Sequence, residues 1–320
     1  MTRSIVTTSA PFPGFEPLLV GLKAAADPTR LRLLALCGAE PLSVSELVDI
    51  LGQSQPRVSR HLKLLAGAGL LERKRDGAQV FYRRSPHSRL ADTLAALLPL
   101  ADDELARDGQ RLNELRQRRT ERASAYFAAN AGHWDALRSL HVDDAVIERA
   151  LLDSLLPHHP RKFADIGTGT GRMLELFGPH VETAVGIDAS REMLDVARMK
   201  LAARNLRHIE LYHADMTHLP LESGAWDQVL IHQVLHFQAH PAQALAEASR
   251  ILAPGGRLAV VDFAPHDLEV LRTEHQHLRL GFSRAEIEEA LRDAGLIPYD
   301  TRLLPGRPLA VTIWLAAKPT

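Results

Sequence analysis

Apolar residues in the first part of the chain recur at helical spacing in short runs. Leu18–Ala26 and Arg30–Cys37 each read as a helix. Between them Asp27 suits an N-cap and Pro28 the first turn. Ser43 followed by Glu46 is a capping box, predicting a helix to Leu51 that Gly52 ends. Ser54 is expected to cap a further helix, with Pro56 in its first turn. Val58, Leu62 and Leu65 form the buried stripe of that helix, and Gly67 and Gly69 stop it. Leu70–Lys74 and Gln79–Arg83 flank Asp76-Gly77, a tight-turn signal for a β-hairpin. Residues 1–17, rich in Pro, Thr and Ser, read as a loose tail. Ser85 to Ala129 reads as helical with a break at Pro99, and its Arg- and Glu-rich part, Glu104–Arg122, as a solvated connector.

The rhythm changes near Lys162. Phe163–Ile166, Thr183–Ile187, His208–His213, Gln228–Ile231 and Gly256–Asp262 read as strands separated by helices. That alternation predicts a parallel sheet covered on both faces. Ile297–Leu303 and Ala310–Ala316, joined through a Pro-Gly turn, read as a terminal antiparallel pair. The expected organisation is a tail over 1–17, a DNA-facing domain over 18–100, a helical linker over 101–125 and an α/β domain over 126–320.

Composition changes this picture in two places. The formal charge of −1 is a sum of unlike parts: up to Arg122 there are 19 Lys+Arg and 14 Asp+Glu, a net of +5, and the remainder carries −6. A basic first part points to nucleic acid. The single cysteine, Cys37, excludes an internal disulfide and a one-chain zinc site built on two cysteines. With no secretory h-region and no apolar run of membrane-spanning length, the cytoplasm is the expected location.

Helix, short turn, helix and hairpin form the winged helix-turn-helix plan. On the second helix the buried stripe leaves Ser54, Gln55, Arg57, Ser59, Arg60, His61 and Lys63 away from the core. These residue types suit base edges and phosphates. Arg73, Lys74 and Arg75 at the hairpin suit the phosphates beside a wing. The runs Ala25–Leu34, Leu42–Leu47 and Gln53–Leu65 resemble the ArsR/SmtB repressors over about residues 18–84. The resemblance implies a homodimer on a pseudo-palindromic operator, released by an effector and paired partly through Leu90–Leu98. Where many such proteins carry a Cys-Val-Cys metal sensor, this chain has Ser43 and Ser45, which removes the thiolate sensor. His87 and Asp92 fall where a second metal site lies in the family, as a lone pair without the usual repeat. No metal is expected.

Asp165-Ile166-Gly167-Thr168-Gly169-Thr170-Gly171 ends a strand in a glycine turn that opens a helix. Glycines allow positive φ and close approach of a ligand. Asp188 ends the next strand about 20 residues on, where an acid suits two ribose hydroxyls. Asp215 ends the third strand, within reach of an adenine amine. The glycine spacing is GxGxG and not the GxGxxG of dinucleotide sites. The set resembles the class I S-adenosylmethionine-dependent methyltransferases over residues 126–320, giving a multidomain chain: an α+β winged helix-turn-helix domain followed by an α/β Rossmann-like class I methyltransferase domain. By that resemblance Asp165, Gly167, Thr168, Gly169 and Gly171 line the amino-acid end, Asp188 binds the ribose, Ala189 or Met193 packs on the adenine, and Asp215 with Met216 meets its amine.

His232 and His236 follow the fourth strand, where substrates of this fold lie, and are candidate general bases. His275 and His277 fall in a segment suited to lid the pocket. The resemblance here is to small-molecule methyltransferases of the quinone-biosynthesis type. Ile231-His232-Gln233-Val234 replaces the Asn/Asp-Pro-Pro-Tyr/Phe of enzymes that methylate DNA bases or amide nitrogens. Two readings follow. One is a transcriptional repressor whose methyltransferase-like domain binds S-adenosylmethionine or S-adenosylhomocysteine as effector. The other is an active small-molecule methyltransferase with an autoregulatory DNA-binding module. A metal-responsive repressor ranks last.

Overall fold

The computed structural model describes residues 14–76, 78–99, 101–133, 144–206 and 208–320. The chain divides into two compact units, Met1–Arg118 and Arg119–Thr320.

The first unit opens with α1 (Phe15–Ala25) and α2 (Pro28–Ala39), separated by the Asp27 cap, whose carboxylate accepts the Arg30 N–H at 3.1 Å. Residues 15–17 of the expected tail therefore belong to a helix, and residues 1–13 lie outside the described residues. Strand β1 (Leu42–Ser43) is too short to show a period and was not expected. It pairs antiparallel with the hairpin strand β3, Leu42 facing Tyr82. The capping box starts α3 (Val44–Leu51): Ser43 Oγ accepts the Glu46 N–H, and Glu46 accepts the Ser43 N–H at 2.8 Å. Gly52 closes it at φ 63°. In α4 (Gln55–Gly67), Val58, Leu62 and Leu65 are fully buried as expected. Ser54 stands at the N-cap, but its side chain makes no capping hydrogen bond. β2 (Leu71–Asp76) and β3 (Gln79–Arg84) form the hairpin, with Asp76 paired to Gln79. Gly77 of the expected turn lies outside the described residues.

After α5 (Arg89–Ala96) comes α6 (Asp103–Asn130), a 28-residue helix. Its first half is not solvated all round. Leu112 is buried in the helix-turn-helix core, and Asp108, 2% exposed, takes a bidentate pair from Arg32 at 2.6 and 2.7 Å. Arg116 pairs with buried Glu40 at 2.8 Å. An Arg/Glu-rich run looks solvated in sequence, yet a few well-spaced side chains suffice to dock one helical face. Cys37 is buried in the same core, which pushes its thiol up to about 12 and keeps it protonated.

In the second unit α7 (Asp144–Leu155) precedes a seven-stranded sheet in the order β6-β5-β4-β7-β8-β10-β9. The strands are β4 (Lys162–Ile166), β5 (Thr183–Asp188), β6 (Ile209–His213), β7 (Trp226–His232), β8 (Leu252–Phe263), β9 (Ile297–Leu304) and β10 (Val311–Ala317). The first five run parallel, and β10 is antiparallel to both β8 and β9. β8 begins at Leu252, earlier than the glycines suggested, through a register irregularity against β7. The helices α8 (Arg172–Phe177), α9 (Arg191–Ala203), α10 (Pro241–Ile251), α11 (Glu269–Thr273) and α12 (Arg284–Asp293) complete the unit. Two apolar clusters, one containing Ile231 and Trp314 and the other Phe163 and Ile313, carry the core. The chain reverses its direction of strand addition between β4 and β7. That switch point opens a crevice at the strands' carboxyl ends. Among the described residues no helix is long and apolar enough to cross a membrane.

Candidate functional site

Each unit brings one set of polar side chains together. On α4, burying Val58, Leu62 and Leu65 turns Gln55, Arg57, Arg60 and Lys63 outward, all exposed, with Ser54 beside them. Two other arginines of this unit are paired, Arg83 with Glu72 at 2.8 Å and Arg84 with Asp92 at 3.0 Å. Arg57, Arg60 and Lys63 have no side-chain partner among the described residues. Ser59 is half-buried. His61 points differently: its Nδ1 lies 3.6 Å from Asp27, beyond hydrogen-bond reach, and its side chain is 14% exposed. Arg73, Lys74 and Arg75 are exposed on β2.

In the second unit the glycine turn follows β4. Gly167, Gly169 and Gly171 take φ of 73°, 53° and 81°, in the left-handed region that disfavours side chains. A Cβ at Gly167 would also meet Val234 at 2.6 Å. The Gly167 and Thr168 N–H groups donate to the Ile187 carbonyl at 2.7 and 2.9 Å, tying the loop to β5. Buried Thr168 donates its hydroxyl to Asp165 at 2.6 Å. Arg172, the first residue of α8, forks onto Glu148 of α7 through two 2.7 Å bonds and fixes the helix that the loop opens.

Asp188 ends β5 and accepts the Gly169 and Ser190 N–H groups, each at 2.8 Å. Burial raises its carboxyl above the ordinary range, and these backbone donors partly pull it back. The Ser190 hydroxyl caps α9 at Met193, whose side chain is buried, whereas Ala189 is exposed. Asp215 is exposed, and its Oδ1 accepts from the Thr217 N–H and hydroxyl at 2.8 and 2.7 Å. Met216 beside it is buried. The glycine turn, Asp188 and Asp215 thus follow three adjacent strands, β4, β5 and β6. A glycine-rich turn beside a half-buried acid with lone pairs to spare fits a nucleoside whose ribose diol donates to Asp188.

His232 and His236 are both buried, at the end of β7 and in the 3-10 turn Leu235–Phe237. Sequence reasoning missed two neighbours of this segment. Gln233 is 94% buried with φ 49°, and its Oε1 has no hydrogen-bond partner among the described residues. Asp262 of β8, fully buried, sits 2.8 Å from His236 Nδ1. The available signal for Asp262 was an acid at the end of an otherwise apolar strand, Leu258–Phe263. The expected lid histidines are near: His277 stacks on His236 with ring centres 4.0 Å apart, and a His275 ring nitrogen lies 2.7 Å from the Tyr126 hydroxyl. Burial raises the Tyr126 pKa, so that hydroxyl stays protonated. Among the described residues no three His, Cys, Asp or Glu side chains group as metal ligands would.

Residues 25–74 match the family model for a helix-turn-helix domain, and residues 164–260 match that for a methyltransferase domain. An uncharacterized 37.1 kDa protein in transposon Tn4556 of Streptomyces fradiae is 35% identical over 162 residues, covering 45% of this chain and 46% of that protein. The demethylmenaquinone methyltransferase of Thermus thermophilus is 40% identical over 144 residues, covering 43% of this chain and 64% of the enzyme. The chain therefore spans about half to two thirds of the length of these relatives. The crystal structure of the YcgJ protein from Bacillus subtilis is 18% identical, with a TM-score of 0.48, and covers 54% of this chain and 99% of that one. A helix-turn-helix domain is thus followed, in one chain, by a domain of the Rossmann-like class I methyltransferase fold.

Proposed function

We propose that the protein is a DNA-binding transcriptional regulator of the ArsR/SmtB type whose C-terminal domain binds S-adenosylmethionine or S-adenosylhomocysteine as its effector. The observation that carries this reading is the coexistence of two independent sites: exposed cations on α4 with no side-chain partner among the described residues, and a turn of three positive-φ glycines beside Asp188. Arg57, Arg60 and Gln55 read base edges, with Ser54, Ser59 and Lys63 on phosphates. Arg73, Lys74 and Arg75 hold phosphates from the wing. His61, half-buried on the same helix, completes the DNA-facing set.

In the C-terminal domain Asp188 binds the ribose hydroxyls, and Asp165, Gly167, Thr168, Gly169 and Gly171 receive the amino-acid end. Ala189 or Met193 packs on the adenine, while Asp215 and Met216 meet its amine. The bound cofactor, in its methylated form, supplies an electrophilic methyl group. The working protein is a cytoplasmic homodimer on a two-fold operator, with domains over 18–100 and 126–320 joined by a helical linker. Helix α6 crosses the boundary between the two units, docked in the first by Asp108 and Leu112. It is the element through which occupancy of one site biases the other, provided the ligand has different affinities for two states.

The test is a gel shift of the full chain on its own promoter region with each cofactor form. Operator affinity should change at least several-fold with one of them. Affinity indifferent to both at saturating concentration, in a protein that calorimetry shows to bind them, ends the effector reading. The enzyme reading is favoured by a separate observation, the His236–Asp262 pair.

A further inference from the structure

We infer that Tyr126 and Phe127, at the end of α6, form a latch on the turn that follows β7, and that the latch closes when the cofactor site is filled. This regulation rests on the effector reading proposed above.

Past residue 118, α6 belongs to the second unit. Arg119, Ala123, Tyr126, Phe127 and Asn130 are half-buried there, whereas Arg122, Ala125 and Ala129 are exposed. Steps of three and four put the first set on one face, so this end of the helix is held along a stripe. Phe127 packs edge-on against Phe237, with ring centres 4.8 Å apart. The Tyr126 hydroxyl lies 2.7 Å from a ring nitrogen of His275, and the two rings meet at right angles. Phe237 and His275 are themselves joined. The His236 carbonyl accepts the Leu278 and Arg279 N–H groups at 3.0 and 3.1 Å, and the His277 ring meets Phe237 edge-on at 5.0 Å. Tyr126 and Phe127 therefore rest on one packed seat.

The same seat touches the glycine turn. The Phe237 N–H donates to the Val234 carbonyl at 3.1 Å. Val234 lies against Gly167, where an added Cβ would meet it at 2.6 Å. The Gly167 N–H is tied to the carbonyl of Ile187, the residue before Asp188. Contact is thus unbroken from Ile187 through Gly167, Val234 and Phe237 to Phe127. Contiguous packing alone does not couple two places; an element with two arrangements must lie between them. Gln233 supplies one. Its φ of 49° is unusual for a side-chain-bearing residue, and its buried Oε1 has no hydrogen-bond partner among the described residues. Backbone held in such a region persists only while its surroundings over-determine it. Loosening Val234 lets Gln233 relax, and the turn carrying Phe237 moves with it. A nucleoside on the glycine turn holds Gly167 against Val234 and so favours the seated form. That form binds the ligand more tightly than the released one, for otherwise filling the site would shift nothing.

The other end of α6 gives the latch something to act on. Arg111 donates to the Ile50 carbonyl at 2.7 Å, near the end of α3, and its guanidinium reaches Gly52. Gly52 closes α3, and Ser54 opens α4 two residues later. A change in how α6 is held therefore arrives beside the helix that bears Arg57, Arg60 and Lys63.

The experiment uses the full chain, S-adenosylhomocysteine as ligand and DNA from its own promoter region. Hydrogen exchange of the peptide spanning residues 119–130 should slow several-fold when the ligand is added to the wild type without DNA. In Phe127→Ala that slowing should vanish. The effect of the ligand on DNA affinity, about five-fold or more in the wild type, should shrink to within about twofold in the same variant. Calorimetry should still show ligand binding, and gel shifts without ligand should still show DNA binding. Tyr126→Phe, which keeps the ring but loses the hydroxyl, should lose part of both effects. Ala128→Ser, on the exposed side of the helix, should keep them. The latch is overturned if exchange over 119–130 ignores bound ligand, or if Phe127→Ala keeps the wild-type slowing; a ligand effect on DNA affinity that survives in either case leaves the effector reading standing. If exchange slows through Phe127 while DNA affinity ignores the ligand, the latch stands and the effector reading fails. A wild type that does not bind the ligand ends both. Should Phe127→Ala cease to bind it, Tyr126→Phe decides, and undiminished slowing there overturns the latch.

Discussion

Arg57, Arg60 and Lys63 stand exposed with no side-chain partner among the described residues, whereas Asp165, His236 and Asp262 are almost sealed and His236 and Asp262 hold each other. The first unit leaves these cations open to any partner that brings its own counter-charge. The second unit hides its charges at strand ends and satisfies them with backbone donors, as at Asp188 and Asp262. An exposed cation costs little to maintain and is effective through long-range attraction to phosphate. A buried carboxylate is tolerated only where donors replace its lost water. Substitutions in the two units should therefore fail in different ways.

The largest effect is expected where the first unit breaks its own pattern and buries an ion pair. Asp108→Ala takes both short hydrogen bonds from the Arg32 guanidinium, which is 13% exposed and keeps only Glu104 at 3.8 Å, and should destabilise that unit by up to roughly 3–5 kcal/mol. Chemical denaturation of the full chain reads this as an early transition. A midpoint like wild type would show that the first half of α6 is not held by this pair.

Next, Asp188→Ala should weaken S-adenosylhomocysteine binding by about 1.5–3 kcal/mol, the range for hydrogen bonds to a charged group. The helix-turn-helix fold should be untouched. In the wild type, affinity for the same ligand should fall on acidification, beginning at a higher pH than for an ordinary carboxylate. Burial raises the Asp188 carboxyl, and on the proposed role its ionised form is the one that would accept both ribose hydroxyls. Calorimetry across pH checks both statements, and a flat profile for the wild type would remove Asp188 from the ligand.

Arg57→Ala and Arg60→Ala should each cost about 1–3 kcal/mol of discrimination between operator and unrelated DNA. Neither should shift the melting curve, because both side chains are exposed and unpaired. Competition gel shifts that keep full sequence preference in both variants would take α4 off the base edges. The smallest effect belongs to the wing. Replacing Arg73, Lys74 and Arg75 by alanine should weaken binding to all sequences alike and flatten its salt dependence. An unchanged slope of affinity against salt would take the wing off the DNA.

The same contrast explains what could be read before folding. Ser43–Glu46, Gly52 and the Val58, Leu62, Leu65 stripe act within a few residues of themselves. Capping and periodicity therefore forecast α3 and α4 and their outward face. The glycine turn was legible for the same reason, since three alternating glycines encode three positive φ values locally. Leu42–Ser43 was not legible, because a two-residue strand exists only through its pairing with β3. Nor was the docking of α6, which depends on Arg32 and Glu40 lying 76 residues away along the chain. His61 looked like its neighbours on α4, yet its packing beside Asp27 sets it apart.

By itself the sequence determined the two-part organisation, the helix that bears unpaired cations, and the glycine turn with Asp188 one strand later. All of these are written in spacings shorter than one supersecondary unit. Tertiary structure alone decided which histidine has an acid. His236 and Asp262 are separated by 26 residues and an intervening helix. They meet because β7 and β8 are adjacent parallel strands, whose carboxyl ends deliver both side chains to the same edge of the sheet.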